Sequence, residues 1–375
     1  MEQAVALAAL GEGQTMPNPL VGAVIVQQGR LVGQGAHLWP GEPHAEILAL
    51  AQAGKAARGA TLFVTLEPCN HWGRTPPCTH AILEAGIARV VVGACDPNPV
   101  AAGGIAALTA AGVEVETGLL ETVVQEQNRA FFFAVTHGRP YVVAKWAMTL
   151  DGRVATVSGD SRWVTGEAAR REVHRLRAQS GAVLVGRGTV AADDPQLTVR
   201  LVSAARQPLR VVLDSQLRLP LDRKIFDTRD APTLLFHTEK ASSQKQAALR
   251  ERGVEVLQCP STEAGTVDLS EVLAELARRQ IRQLLVEAGP QLMSTFLRQG
   301  FVDEMWIYIA PAVEGGAGRP PTLGSGAVRM AEVSRWEWVE TTRIGDDLRL
   351  TLRPRQQSGA QTDQESGGER GESLV

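Results

Sequence analysis

Three residues with metal-binding chemistry and one carboxylate lie in order within a short stretch. They are His44 and Glu46 in Pro43-His44-Ala45-Glu46, Cys69 in Leu66-Glu67-Pro68-Cys69, and Cys78 in Thr75-Pro76-Pro77-Cys78. One imidazole and two thiolates are three zinc ligands, the number a catalytic zinc keeps while a fourth position stays open for water. Two thiolates and a neutral imidazole also cancel the charge of the ion. Such a site acidifies its water less than three histidines would, so a carboxylate is needed to take the proton. Glu46 is the candidate, because residues two apart on a helix do not face the same way and Glu46 is then aimed beside the metal. His-x-Glu followed by Pro-Cys and a second cysteine is the pattern of the zinc deaminases.

The second cysteine follows the first by nine residues instead of three. That inserts a loop in which His71, or His80 beside it, could replace a ligand. The competing account makes Cys69 and Cys78 ordinary buried thiols and His44 a surface histidine. Three metal-type residues in this order outweigh it.

The elements that must position these residues alternate between strand and helix. A helix over 3–10 ends at Gly11 and Gly13. A buried strand over 23–26 pairs with 31–36 across Gln28-Gly29-Arg30. A helix over 44–53 carries His44 in its first turn. A strand over 61–65 leads to Pro68, which suits a helix start at Cys69, and Cys78 opens another helix. Cysteines at helix N-termini feel the positive end of the dipole, which favours the thiolate. A strand over 89–93, a helix over 105–111 and a strand over 113–117 complete an α/β domain over residues 1–120. Glu67, at a strand end beside Pro68, is read as structural.

A helix over 121–135 runs into Phe131-Phe132-Phe133, a core or interdomain seam, and His137-Gly138-Arg139-Pro140 ends the connecting segment 121–140. The second domain, 141–354, has strands over 141–147, 182–185, 209–214, 233–236, 254–257 and 283–287 with helices over 167–178 and 269–280. Gly186-Arg187-Gly188-Thr189 is a turn that can bring amides near a phosphate. Strand, glycine turn and helix N-terminus around Ala288-Gly289-Pro290 form a second anion site. Neither matches the Gly-x-Gly-x-x-Gly dinucleotide fingerprint, so spacing alone leaves an ordinary αβ turn as good a reading. The tail 355–375, without aromatics, is expected to be disordered. Cys95 and Cys259 are expected to be small buried hydrophobes.

Composition sets the class. The 375 residues suit two domains, with 44% hydrophobic and 21% charged residues, as in soluble globular proteins. A net charge of −3 and no run of lysines or arginines disfavour a nucleic-acid partner. Four cysteines with a metal pattern among them fit a reducing compartment. Met1-Glu2-Gln3 lacks a signal peptide's basic start, and no apolar run reaches the roughly 18 residues of a membrane span. A cytoplasmic enzyme without a membrane partner is expected.

Taken together the motifs resemble one family from residue 1 to 353. Met16-Pro17-Asn18-Pro19-Leu20-Val21-Gly22, Pro43-His44-Ala45-Glu46 and Leu66-Glu67-Pro68-Cys69 with Gly73-Arg74-Thr75-Pro76-Pro77-Cys78 resemble the deaminase half of the RibD family of bifunctional riboflavin-biosynthesis proteins. Lys145-Trp146-Ala147-Met148-Thr149-Leu150-Asp151-Gly152, Ser161-Arg162-Trp163, Ala192-Asp193-Asp194-Pro195 and Glu287-Ala288-Gly289-Pro290 resemble its reductase half. Ala288 stands where the family commonly has glycine.

The resemblance implies a cytidine-deaminase-like three-layer α/β/α domain followed by a dihydrofolate-reductase-like α/β domain. It implies deamination of 2,5-diamino-6-ribosylamino-4(3H)-pyrimidinone 5′-phosphate, then NADPH-dependent reduction of the ribosyl group to ribityl. His44, Cys69 and Cys78 would hold Zn²⁺ and Glu46 would shuttle the proton. The family's NADP contacts fall on Ala147, Trp163, Thr189, Asp193, Ser215, Gly289, Pro290, Gln291, Leu292, Met293, Ser294 and Thr295. Its substrate contacts fall on Ser161, Arg177, Leu197, Arg200 and Glu287. Lys145 is a further substrate-side candidate; Asn18, His37 and Arg74 are candidates in the deaminase pocket, with a plain surface residue as the rival reading of each. The partner would be a pyrimidine ribose phosphate, the assembly a homo-oligomer. Two other readings compete: a nucleoside or tRNA deaminase with an appended nucleotide-binding domain, and a chain in which one half is a non-catalytic zinc or NADPH-binding module.

Overall fold

The computed structural model describes residues 1–72 and 76–355. Arg74 and the tail 356–375 lie outside the described residues.

The first sheet contains β1 (Gly22–Gln27), β2 (Arg30–Ala36), β3 (Thr61–Leu66), β4 (Arg89–Ala94) and β5 (Glu114–Thr117) in the order β2-β1-β3-β4-β5. β1 is antiparallel to β2 and β3, and β3, β4 and β5 are parallel. Helices Ala45–Ala53, Cys78–Ala85 and Gly104–Ala110 cover it, and Ala23, Ile25, Ala49, Leu62, Val64, Ile82, Val90 and Leu108 form the core. Glycine lets the layers close up. A Cβ at Gly35 of β2 would sit 2.3 Å from the Ala45 carbonyl oxygen, so the helix that starts after His44 is pressed onto bare backbone.

The second sheet contains β6 (Tyr141–Thr149), β7 (Ala182–Gly186), β8 (Leu209–Leu213), β9 (Thr233–His237), β10 (Glu255–Gln258), β11 (Gln283–Val286), β12 (Glu304–Ala310), β13 (Trp336–Ile344) and β14 (Asp347–Pro354). Its order is β10-β9-β8-β7-β11-β6-β12-β14-β13, parallel from β10 to β12 and antiparallel over the last hairpin. Alternate residues of the same strands feed two cores: Val142, Leu184, Val211 and Leu284 on one face, Val143, Val183, Val212 and Leu285 on the other. Burial on both faces is why these strands read as unbroken apolar runs.

Between the sheets, the single helix expected over 121–135 is broken into Glu121–Gln127 and Arg129–His137. Asn128 is the break. Its Oδ1 accepts the Leu20 amide at 2.7 Å and its Nδ2 donates to the Leu20 carbonyl at 3.0 Å, competing with helix propagation. Phe131 then packs on Leu66, Ala94 and Val124, while Phe133 packs with Tyr141, Val143 and Leu176. One helix thus serves two cores, as expected of the Phe cluster. Glu304 reinforces the seam, accepting from Arg129 Nη1 at 3.0 Å, Arg353 Nε at 2.9 Å and the Tyr141 hydroxyl at 3.0 Å.

Three local expectations are corrected. No helix starts at Cys69, which lies in coil after β3. Gly186-Arg187-Gly188-Thr189 is not a free turn but the start of helix Arg187–Asp193. Cys95 is exposed, whereas Cys259 is buried as expected. Helix Ser243–Glu251 and strands β12 to β14 have no counterpart in the sequence reading.

Candidate functional site

His44 is the N-cap of helix Ala45–Ala53, not a member of its first turn. This frees its ring to point out of the helix end while Glu46 enters the buried face, 3% exposed. Cys69 follows β3 through Glu67-Pro68. The Glu67 carboxylate accepts the amides of Gly103 at 2.9 Å, Ile105 at 3.0 Å and Asp96 at 3.2 Å, which confirms its structural role. Gly104 completes that brace, since a Cβ there would lie 1.8 Å from the Pro68 carbonyl oxygen. Cys78 is the first residue of its helix, so the helix dipole acts on Cys78 alone.

His44 Nδ1 lies 3.2 Å from Cys78 Sγ and 3.6 Å from Cys69 Sγ, and all three donor atoms fall within 4.8 Å of one another. A tetrahedral ion with bonds of about 2.0–2.3 Å has donor separations of roughly 3.3–3.8 Å, so the triangle fits zinc. Cys69 is held down to about 4, chiefly by the hydrogen bond from Cys78 and then by His44, against burial. The same hydrogen bond, with burial, pushes the Cys78 thiol up, so of the pair it is Cys69 that favours the anionic form a metal requires. Burial raises Glu46, only partly offset by the neighbouring His44, so the carboxyl takes up a proton readily. His80 is turned away in a 3.4 Å contact with Glu84, and among the described residues neither it nor His71 joins the donor group. Three ligands without a fourth side chain are the catalytic arrangement.

His37 and Asn18 stand beside this triangle. The His37 ring is edge-on to the His44 ring with centroids 5.4 Å apart. Its Nδ1 donates to the Pro43 carbonyl at 3.4 Å, which leaves Nε2 to accept from Asn18 Nδ2 at 3.0 Å. Burial lowers the pKa of His37 and keeps it neutral.

A cleft of ≈ 1400 Å³ opens at the C-terminal ends of β6, β7, β8 and β11, where parallel sheets present their ligand sites. Ala147, Thr189, Asp193, Ser215, Gly289, Pro290, Gln291, Leu292 and Thr295 line it, as do Lys145, Ser161 and Glu287. Gly289 caps helix Pro290–Arg298, and its amide donates to Thr189 Oγ1 at 3.0 Å, joining the two anion-type turns. At the β6 end, Arg177 grips Glu287 in a fork, Nε to Oε1 at 2.5 Å and Nη2 to Oε2 at 3.0 Å, with Lys145 Nζ 3.7 Å away. Burial alone would raise Glu287, but Arg177 and then Lys145 outweigh it and hold it at about 2.

The remaining candidates are placed elsewhere. Met293 is in the core, and Ser294 Oγ accepts the Leu323 amide at 2.7 Å. The Leu197 side chain is buried among Val183, Leu217 and Ile225. Trp163 is 70% exposed under the Arg170 guanidinium and does not line the cleft. Arg200 is exposed, its amide held by His174 Nδ1 at 3.0 Å. The sequence reading missed the coil segments 262–267 and 317–321, which close the cleft. Coil without a motif carries no signal that could have found them.

Known proteins match both halves. A model of the cytidine and deoxycytidylate deaminase zinc-binding region matches residues 1–94, and one of the RibD C-terminal domain matches residues 140–350. The riboflavin biosynthesis protein RibD of Aquifex aeolicus is 45% identical over 93% of this chain and 96% of its own length. That of Escherichia coli K12 is 41% identical over 94% and 98%. The structure of Acinetobacter baumannii RibD superposes with a TM-score of 0.85 at 42% identity, covering 95% of this chain and 98% of that one. A diaminohydroxyphosphoribosylaminopyrimidine deaminase/5-amino-6-(5-phosphoribosylamino)uracil reductase from Thermotoga maritima gives 0.83 at 36% identity, covering 95% and 97%. With a zinc-type triangle in one domain and a cofactor-sized cleft in the other, matched over nearly their full lengths, the chain belongs to the RibD family of deaminase/reductases of riboflavin biosynthesis.

Proposed function

We propose that the first domain hydrolytically deaminates 2,5-diamino-6-ribosylamino-4(3H)-pyrimidinone 5′-phosphate and that the second reduces the ribosyl group of the product to ribityl with NADPH. The observation that carries the first step is the three-donor triangle with the buried Glu46 carboxyl beside it. His44, Cys69 and Cys78 would hold the zinc, which when bound would lower the pKa of a water and so supply the nucleophile. Glu46 receives the water's proton and returns it to the departing amine as ammonia forms. Its burial supports both halves of that transfer, because a carboxyl of raised pKa holds a proton without being strongly acidic. Asn18, fixed by neutral His37, offers its Oδ1 to the pyrimidine.

For the second step, a nicotinamide bound in the cleft would supply a hydride to C1′ of the ring-opened ribosylimine. Gly289, Gln291 and Leu292 at the helix N-terminus suit its pyrophosphate. Arg187, Arg218, Arg298 and Arg319 along the cleft give the positive charge that the third phosphate of NADPH calls for. Lys145, Arg177 and Glu287 orient the sugar hydroxyls, and Lys145, with a pKa lowered by burial, is placed to give the proton that the imine nitrogen takes up as C1′ is reduced. Exposed Arg200 meets the 5′-phosphate.

Supplying the diaminopyrimidine phosphate with and without NADPH tests the whole scheme. Ammonia should appear in both reactions, with NADPH consumed only in the second and after ammonia. NADPH consumption without ammonia release would overturn it.

A further inference from the structure

The wall of the deaminase pocket that carries Asn18 is held from the other domain. The Met16 carbonyl accepts from Arg206 Nη1 at 3.3 Å, and the Pro17 carbonyl from Arg282 Nε at 3.3 Å. Arg282 immediately precedes β11, and Arg206 lies in the segment leading to β8; both belong to the second sheet's domain. On the other side of Asn18, the Leu20 amide and carbonyl are bracketed by Asn128. The Asn18 amide donates to the Thr15 carbonyl at 2.8 Å. Apart from the Thr15 amide on the Gly11 carbonyl and Asn18 on His37, the hydrogen bonds that hold the turn 15–20 among the described residues come from the turn itself, the interdomain helix break and the second domain.

These two arginines are not ordinary seam residues. The other seam cations, Arg129 and Arg353, are paired with Glu126 and Glu304. Arg206 and Arg282 are half-buried and have no carboxylate partner among the described residues. Desolvating a guanidinium without a counter-charge is unfavourable, and here the offset is the Met16 and Pro17 carbonyls, with the Phe131 ring 5.6 Å from Arg282. What those carbonyls set is the direction of the next side chain, Asn18, and through it the Nε2 partner of His37.

We infer that Arg206 and Arg282 are positioning residues for deamination: by holding the Met16 and Pro17 carbonyls they fix Asn18 against His37, so that the reductase domain completes the deaminase pocket. This rests on the reading of Asn18 as a substrate contact. Arg206 also links the two sites in one segment. Its neighbour Gln207 brackets Val199, the amide accepted at 2.7 Å and the carbonyl bonded at 3.1 Å, next to Arg200, the residue proposed to meet the 5′-phosphate.

The experiment is steady-state ammonia release by the full-length zinc-loaded chain carrying Asn18→Ala, Arg206→Gln with Arg282→Gln, or all three. Two hydrogen bonds lost or lengthened correspond to about a tenfold effect. The expected result is a KM raised about tenfold in the arginine double variant with kcat within about twofold, zinc content unchanged, and partial recovery with Arg206→Lys and Arg282→Lys. The triple variant should be no worse than Asn18→Ala, because all three act through one group. If Asn18→Ala leaves KM unchanged, the Asn18 reading fails and this inference with it. If Asn18→Ala raises KM but the arginine variants do not, or their effects add to those of Asn18→Ala, only the inference fails. Should the glutamine variants not fold, the lysine pair read by the same KM and additivity criteria decides.

Discussion

Glu46→Gln separates zinc binding from proton transfer. The side chain is 3% exposed and lies outside the donor triangle, so an amide of the same shape should leave all three ligands in place. Stability should hold or rise, because burial disfavours the charged carboxylate that the substitution removes. Catalysis should not survive. A positioned general acid/base contributes on the order of 10²–10⁴-fold, about 3–5 kcal/mol of barrier. With the carboxyl buried, bulk water has little access to take its place, so the loss should fall toward the upper end. Ammonia release at saturating substrate, zinc per chain by atomic absorption, and NADPH oxidation with pre-deaminated substrate should be measured on one preparation. The expected triple is a kcat down by about 10³–10⁴, stoichiometric zinc and an unchanged reductase rate. Loss of zinc, or a kcat within about tenfold of the parent, would refute the role assigned to Glu46.

Two further outcomes follow from the second domain. Asp193→Ala removes a half-buried carboxylate that lines the cleft beside Thr189, and should weaken NADP⁺ binding and slow NADPH oxidation by about tenfold while ammonia release is untouched; calorimetry with NADP⁺ showing parental affinity would contradict it. Glu287→Gln should destabilise the chain at neutral pH by about 3 kcal/mol, since it leaves Arg177 and Lys145 buried without their counter-charge. Glu287 titrates at about 2 when folded against an ordinary 4.5, so its contribution is complete above pH 4.5 and is lost as the pH falls from there toward 2. Urea titrations should therefore show parent and variant converging over that window; a constant gap would exclude the ion-pair account.

Local chemistry is what the sequence determined unaided. His44, Cys69, Cys78 and Glu46 are recognisable because zinc chemistry restricts residue type and because each is set at the end of an element whose apolar pattern can be read. The parallel strands of the second sheet were equally plain, since burial on both faces makes them continuous apolar runs. Caps and breaks were less legible. Whether His44 begins the helix or caps it depends on how closely Gly33 and Gly35 let that helix approach β2, and Asn128 breaks its helix only because Leu20 is there to bond.

Placement across long sequence separations was decided by the tertiary structure alone. Leu197 and Met293 lie within stretches that resemble ligand contacts, yet their side chains are core, because the coil leading to β8 and a helix turn must each bury one side while offering the other. The cleft needs coil from 262–267 and 317–321, where nothing in the residue types announces a role. Asn18 shows the limit most clearly. Its motif marked it as a candidate, but its partners, His37 in its own domain and the arginine-held carbonyls of Met16 and Pro17, come together only when two domains close on one turn. Hydrogen bonds between residues 265 positions apart, as between Arg282 and Pro17, leave no periodicity in a sequence; they exist because packing brings the backbone there.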